Sequence, residues 1–239
     1  MDEKRLYDLI QEKEGYASLA FPALMRKVYV WMTLALVITG ITAYGVASSP
    51  GIITAIVTNR VLVWGLIIGE LALVWGVTAA INRLSLATAT MLFVLYSVLN
   101  GATLSVIFLA YTMSSIASVF FITAGTFAVM AFIGYVTKTD LTSLGKILFM
   151  ALIGIIIATV VNVFFVKSGT LNLIISYIGV LVFVGLTAYD SQKIKRMLIM
   201  ADDMDEGAQK LALLGSLTLY LDFINLFLYL LRIFGSSKD

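Results

Sequence analysis

The sequence predicts an all-α membrane protein, a compact seven-transmembrane-helix bundle, and two observations carry that reading. Of 239 residues, 61% are hydrophobic and only 13% charged, with a mean hydropathy of +1.02. A water-soluble domain is nearer 45–50% apolar and about 25% charged, so this chain has too little polar surface to cover itself in water. The second observation is length. A helix crossing roughly 30 Å of hydrocarbon needs about 20 mostly apolar residues. Seven stretches meet that requirement: 28–48, 61–81, 86–109, 115–136, 144–166, 172–190 and 211–234.

Composition also excludes whole classes of function. A net charge of +2 gives no basic face for phosphates, so no nucleic-acid partner is expected. Cysteine and histidine are both absent. Disulfide frameworks, zinc and iron–sulfur centres, His-ligated haem and Ser-His or Cys-His nucleophile systems are therefore ruled out. No resident cofactor is expected, and no enzyme that depends on those side chains.

Each segment has its own reading. Residues 1–27 carry ten charges and no leading apolar core, so they do not form a cleavable signal peptide. They read as a polar N-terminal arm, a solvated tail or amphipathic helix that stays on one side. Residues 28–235 form the spanning domain, and 236–239 a short tail. The third and fourth spans are separated only by 110–114, which leaves room for a re-entrant segment, but seven full spans is the simplest count. Pro22 and Pro50 both fall outside these spans, so nothing suggests the Pro-broken helices of many secondary transporters. Twelve of the sixteen Lys and Arg residues lie on the N-terminal side. The positive-inside rule then predicts a cytoplasmic N-terminus and, after seven crossings, an external C-terminus.

Three acidic residues fall inside the spans: Glu70 in the second, Asp190 late in the sixth and Asp222 in the seventh. An ionisable group there costs at least roughly 2.5–3.5 kcal/mol on insertion scales, so it faces protein or water and has a structural or functional role. The last two spans form a hairpin. The midpoint of Asp190 and Asp222 is position 206, inside the polar segment Ala201-Asp-Asp-Met-Asp-Glu-Gly207, which is the turn expected between them. The two carboxyls are therefore predicted to lie at the same height.

Direction is legible as well. Thr218, Asp222, Asn225, Tyr229 and Arg232 recur at helical spacing, giving one polar stripe on a helix otherwise rich in Leu, Phe and Ile. Lipid cannot satisfy such a stripe, so it faces inward. Thr187, three residues before Asp190, is a shorter version of the same signal on the sixth span.

Two carboxyls held together in a poorly solvated place cannot easily both ionise, so the pair tends to share a proton. With Asn and Thr oxygens nearby, they suit a hard cation such as calcium. The same geometry serves a proton relay or an intramembrane aspartyl protease. The residue chemistry alone does not choose.

At these residues the chain resembles a known family. Leu219-Tyr-Leu-Asp-Phe-Ile-Asn-Leu-Phe227, followed by Leu230-Leu-Arg-Ile-Phe-Gly235, is similar to the last helix of the Bax inhibitor-1 (transmembrane Bax-inhibitor-motif) family. Tyr189-Asp190 with Gln192-Lys-Ile-Lys195 resembles the end of its sixth helix, and Glu70 and the Tyr96…Asn100-Gly101 region also match. The likeness covers about 20–235, and the short loops look like bacterial members.

The resemblance implies six helices around a central seventh, and a pH-sensitive calcium leak in a bacterial inner membrane. Asp190 and Asp222 would be the pH sensor and ion-binding pair, with calcium ions and protons as the species handled. Glu70 would line or flank the same pore, with Asn225, Thr218, Thr187 and Asn100 lining or supporting it. Bacterial relatives tend to carry a basic latch near the cytoplasmic end of the second helix. Here the candidate is Arg83, thirteen residues after Glu70. Arg232 is ten residues, about 15 Å of helix, from Asp222, too far for direct pairing.

Competing classes fit less well. A retinal protein needs a lysine inside its last span, and none lies there. An intramembrane aspartyl protease would carry a Gly-rich context at each aspartate, which Tyr189-Asp190-Ser191 and Leu221-Asp222-Phe223 lack. The alternative retained is a non-transporting interaction protein that restrains a membrane protease or another channel. Smaller features have structural readings. Gly40, Gly76, Gly101, Gly154, Gly179 and Gly185 are expected to permit close helix approach. Asn162 with Thr159, and Asn100 with Ser97, are expected to bond between helices. The acidic turn 202–206 reads as a solvated loop rather than a calcium site.

Overall fold

The computed structural model describes residues 3–201 and 203–238, so Met1 and Asp2 of the expected arm, Asp202 of the acidic turn and Asp239 of the tail lie outside the described residues. Among the described residues nine α-helices and one π-helical turn form, in the order α1 (Glu3–Ala47), α2 (Pro50–Thr58), α3 (Arg60–Ala80), α4 (Leu86–Leu104), α5 (Ile107–Ala110), α6 (Met113–Val136), α7 (Thr142–Val161), the π-turn (Asn162–Val166), α8 (Gly169–Ile199) and α9 (Glu206–Phe234). No strand occurs among the described residues, only an isolated bridge between Tyr111 and Ser237. Seven segments among them are long and apolar enough to cross a membrane, one for each predicted span, the first beginning at Ala20 rather than 28 and the sixth ending at Ile199 rather than 190. The protein is an all-helical, seven-span membrane protein.

Two predicted boundaries change. The expected arm and the first span are one continuous helix, α1, which runs through Pro22. The candidate span begins at Ala20, so Pro22 lies inside it rather than outside. The ring removes one backbone bond, a loss that neighbouring turns of a long helix absorb. Beyond the first span, residues 50–58 are helix α2 rather than loop, begun by Pro50 at its first turn, where the missing N–H has no intrahelical acceptor to lose.

Short polar side chains close the helix ends. Asn59 accepts from the Val61 and Leu62 amides at 3.0 and 3.2 Å and starts α3. Ser85 accepts from the Thr88 amide at 3.1 Å, and Thr112 from Ser115 at 3.3 Å. Asp140 accepts from both the amide and the hydroxyl of Thr142. Asp205 accepts from the Ala208 amide at 2.6 Å and begins α9. Such caps satisfy amide donors that a helix leaves orphaned at its N-terminus. α8 ends at Ile199 and α9 begins at Glu206, so Gly207, expected in the turn, already lies in α9. Asn162 also departs from expectation. It bonds Ser168 twice, accepting at 2.9 Å and donating at 3.1 Å, and so secures the turn at left-handed Lys167 (φ 54°) instead of bridging helices. Ser97 donates within its own helix to Phe93.

The chain divides into two compact units, Met1–Ser105 with Ile194–Leu217, and Val106–Lys193 with Thr218–Asp239. In the first, α4 packs on α1 and α3. Gly101 abuts α1 so closely that an added Cβ would come within 2.7 Å of the Thr39 carbonyl oxygen, while Thr39 donates to the Ser97 carbonyl at 3.0 Å. The Glu206 carboxylate accepts from the Leu86 amide at 2.9 Å at the start of α4 and pairs with Lys210 at 3.1 Å. Lys27 donates to Gln209 at 2.7 Å.

In the second unit, α6 meets α8 backbone to backbone, Gly134 lying against Ala188, and Ser191 donates to the Ala131 carbonyl at 2.8 Å. Gln192 holds the loop before α7, accepting from Leu141 and donating to the Thr139 carbonyl. The Phe223 ring meets Phe120 at a tilt and Phe127 edge-on. Ser236 bonds both Thr112 and Ser115, so the end of α9 is tied to the start of α6. Of the six glycines expected at close helix contacts, Gly101, Gly179 and Gly185 are so placed. Gly40, Gly76 and Gly154 face open space, because small size permits contact without requiring it.

Gly134→Ala should lower the thermal unfolding midpoint in detergent, by the overlap cost of about 1–3 kcal/mol for an overpacked contact. Gly40→Ala should leave it unchanged or raise it, since helix propensity improves by up to about 1 kcal/mol and nothing is displaced. Equal midpoints for the two variants would show that α6 and α8 are not in backbone contact.

Candidate functional site

The site is built by α7, α8 and α9 within the second unit. Asp190 on α8 is 9% exposed and Asp222 on α9 only 5%. α8 continues nine residues past Asp190, to Ile199, further than the sequence suggested. The predicted register nevertheless holds. Gly179 and Phe183 both meet Tyr229, the latter with ring centroids 5.8 Å apart, and the midpoints of those pairs fall at 204 and 206. The midpoint of Asp190 and Asp222 is also 206, so the aspartates occupy matching heights on facing helices. The connection is asymmetric about that point; the helix pairing is not.

Both carboxyls line one cavity of about 870 Å³. Thr218, Asn225 and Tyr229 of the polar stripe line it too, as expected for an inward face. Asn225 donates to the Leu221 carbonyl at 2.8 Å. Asp190 is close enough for its charge to act on Asp222. Asp222 Oδ2 is buried and has no hydrogen-bond partner among the described residues. A carboxyl oxygen left in that condition costs about 1–3 kcal/mol or more, and stability alone does not account for retaining it.

The structure adds residues that sequence reasoning passed over. Lys193, one turn beyond Asp190 on α8, lines the cavity, acts on the Asp190 charge and lies over the Tyr189 ring at 5.9 Å from its centroid. The three-residue spacing between Asp190 and Lys193 was a readable signal for that neighbour. Lys146 on α7 also lines the cavity. Nothing in the sequence marks it, because only folding brings α7 beside α8.

Other expected site residues go elsewhere. Thr187 is buried and donates to the Phe183 carbonyl at 2.7 Å within its own helix; it does not line the cavity. Glu70 belongs to the first unit, where its carboxylate accepts from Asn100 at 3.2 Å and from Thr103, tying α3 to α4. Asn100 is thus an interhelical partner, as one of its readings held. Arg83 is exposed in the turn between α3 and α4 and does not line the cavity, whose cations are Lys146 and Lys193. Arg232 lies over the Tyr229 ring, 5.4 Å from its centroid. No cluster of three or more metal-ligating carboxylates occurs among the described residues.

Asp222→Leu should raise the thermal unfolding midpoint, because it removes an unpartnered buried oxygen and adds apolar volume beside Phe223 and Leu226. A fall of several degrees would instead mark the carboxyl as a structural group.

The sequence model described as inhibitor of apoptosis-promoting Bax1 matches residues 22–239. The chain is 54% identical over 215 residues to the inner membrane protein YbhL of Escherichia coli, covering 90% of this chain and 92% of that protein. An uncharacterized protein of Borreliella burgdorferi is 46% identical over 234 residues, covering 98% and 100%. One of Rickettsia prowazekii is 44% identical over 217 residues, covering 90% of each. With a family match over residues 22–239 and a relative 54% identical over nearly its full length, the chain belongs to the Bax inhibitor-1 family.

Proposed function

We propose that the protein is a calcium leak of the bacterial inner membrane, gated by the protonation of Asp190 and Asp222. The observation that supports it best is the unpartnered, buried Asp222 oxygen beside a second carboxyl in a cavity within spanning helices. Lipid offers such an oxygen nothing, so a proton or a cation is its natural partner. Thr218, Asn225 and Tyr229 add oxygens along the same wall. A resident calcium site takes six to eight oxygen ligands; two carboxylates with a few neutral oxygens suit an ion that enters and leaves. The inner-membrane relative YbhL supports the location, and the charge bias supports a cytoplasmic N-terminus.

Gating follows from two opposed forces on the pair. A shared proton holds α8 to α9, and its loss sets two like charges against each other. Against that, an ionised Asp190 attracts Lys193 across one end of the cavity, and protonation releases it. The exposed lysine is screened by water, so the attraction is modest on its own.

Calcium flux into liposomes containing only this protein should vary with pH over about pH 5–8, within the roughly 5–150-fold range of a typical coupling free energy. Asp190→Asn and Asp222→Asn should each abolish the pH response. Flux rising with pH identifies carboxylate repulsion as the opening force; flux rising in acid identifies the Lys193 attraction as the closing one. Folded protein that leaks no more than empty liposomes at any pH overturns the channel reading and favours a non-transporting interaction protein.

A further inference from the structure

The cavity has a second chemical character that ion conduction does not use. On α7 its lining runs from Gly145 and Lys146 through Phe149, Met150 and Leu152 to Ile156, ten residues or about 15 Å of helix beyond the lysine. Phe183 and Leu186 face that wall from α8. Most of the length is apolar, and it opens to the surface: Phe149, Met150 and Ile156 are 58%, 64% and 54% exposed. α7 also carries the most apolar of the seven spans, with a mean hydropathy of 2.7 and only 11% of that window buried. The outside of this groove therefore faces acyl chains.

Both cavity lysines lie at one end. Gly145 packs on Tyr189, and Leu148 on Gly185, so α7 and α8 run antiparallel with Lys146 and Lys193 near the same end. That end is the start of α7 and the last turns of α8, where a spanning helix reaches the headgroup level. Both side chains are exposed, and neither makes a salt bridge or hydrogen bond to a described residue. Two cations at the mouth of an apolar groove open to the bilayer match one molecule in shape and charge.

We infer that this groove binds an anionic phospholipid, its phosphate held by Lys146 and Lys193 and one acyl chain lying along Phe149, Met150 and Ile156. Basic pockets between spanning helices collect anionic headgroups for the same electrostatic reason. Asp190 lies one turn deeper than Lys193, so that lysine is shared between the lipid phosphate above and the carboxylate below. Lipid occupancy and ion conduction are separate claims, and either can fail alone.

The test is native mass spectrometry of the detergent-purified full-length chain, titrated with phosphatidylglycerol or phosphatidylcholine of equal chain length. Wild type and Lys138→Gln, whose lysine does not line the groove, should prefer phosphatidylglycerol. The double variant Lys146→Gln/Lys193→Gln should lose roughly tenfold of that preference. Met150→Trp, which fills the groove, should weaken both lipids. If the double variant has a lowered thermal midpoint, Lys146→Gln alone carries the test. An unchanged phosphatidylglycerol preference in the lysine variants overturns the assignment. Displacement of the lipid by millimolar inorganic phosphate overturns it too, because the site would then be an anion site without a chain.

Discussion

A bilayer offers no hydrogen-bond partner to a backbone amide or to a carboxyl, and most of this chain answers that constraint. Helix is the only spanning structure that satisfies its own backbone, and every span takes it. Where helices end, short polar side chains supply what water would otherwise supply: Asn59, Ser85, Thr112, Asp140 and Asp205 at N-termini, Asn162 at the turn before α8. Buried hydroxyls turn back on their own helices, as Ser97, Thr123, Thr187 and Ser216 do. Among the described residues two buried side-chain oxygens escape that accounting, Thr159 Oγ1 and Asp222 Oδ2, and the carboxyl is the costlier to leave so. Asp222 keeps an oxygen with no partner in the most buried of the spans, where 67% of the most apolar window is buried.

That inconsistency organises the candidate site. Asp190 stands beside Asp222 because Gly179 admits Tyr229 and Gly134 admits the α8 backbone; larger residues would push α8 away from both neighbours. Lys193 then tempers Asp190 from the exposed end of the cavity, and the Tyr189 ring lies between Gly145 and that lysine. Glu70, the third intramembrane carboxylate, shows the contrasting solution. Asn100 and Thr103 each donate to one of its oxygens, so both are partnered and it serves as a tie between α3 and α4. Two kinds of intramembrane acid thus coexist, a half-buried one with both oxygens partnered and a buried one with an oxygen left over.

Relatives of the chain named only by location or left uncharacterized share about half of its residues over nearly its full length. They support membership of the family and the seven-span fold. The chemistry of the cavity rests on the geometry of Asp190, Asp222 and the two lysines.

The amino-acid order alone was enough for the class of fold, the number of spans and the pairing of Asp190 with Asp222. Those features depend on composition, on apolar run length and on spacing along single helices, all of which are local quantities. The register holds because α8 and α9 pair through Gly179, Phe183 and Tyr229, and the connection overlaps the expected polar segment except at Glu206 and Gly207, which begin α9. What folding decided was long-range. Lys146 enters the site from a helix more than forty residues away, Thr187 turns to its own backbone, Gly40, Gly76 and Gly154 meet nothing, and Arg83 stays at the surface. A residue type states what a side chain can bond; only the packing of one helix on another settles what lies within its reach.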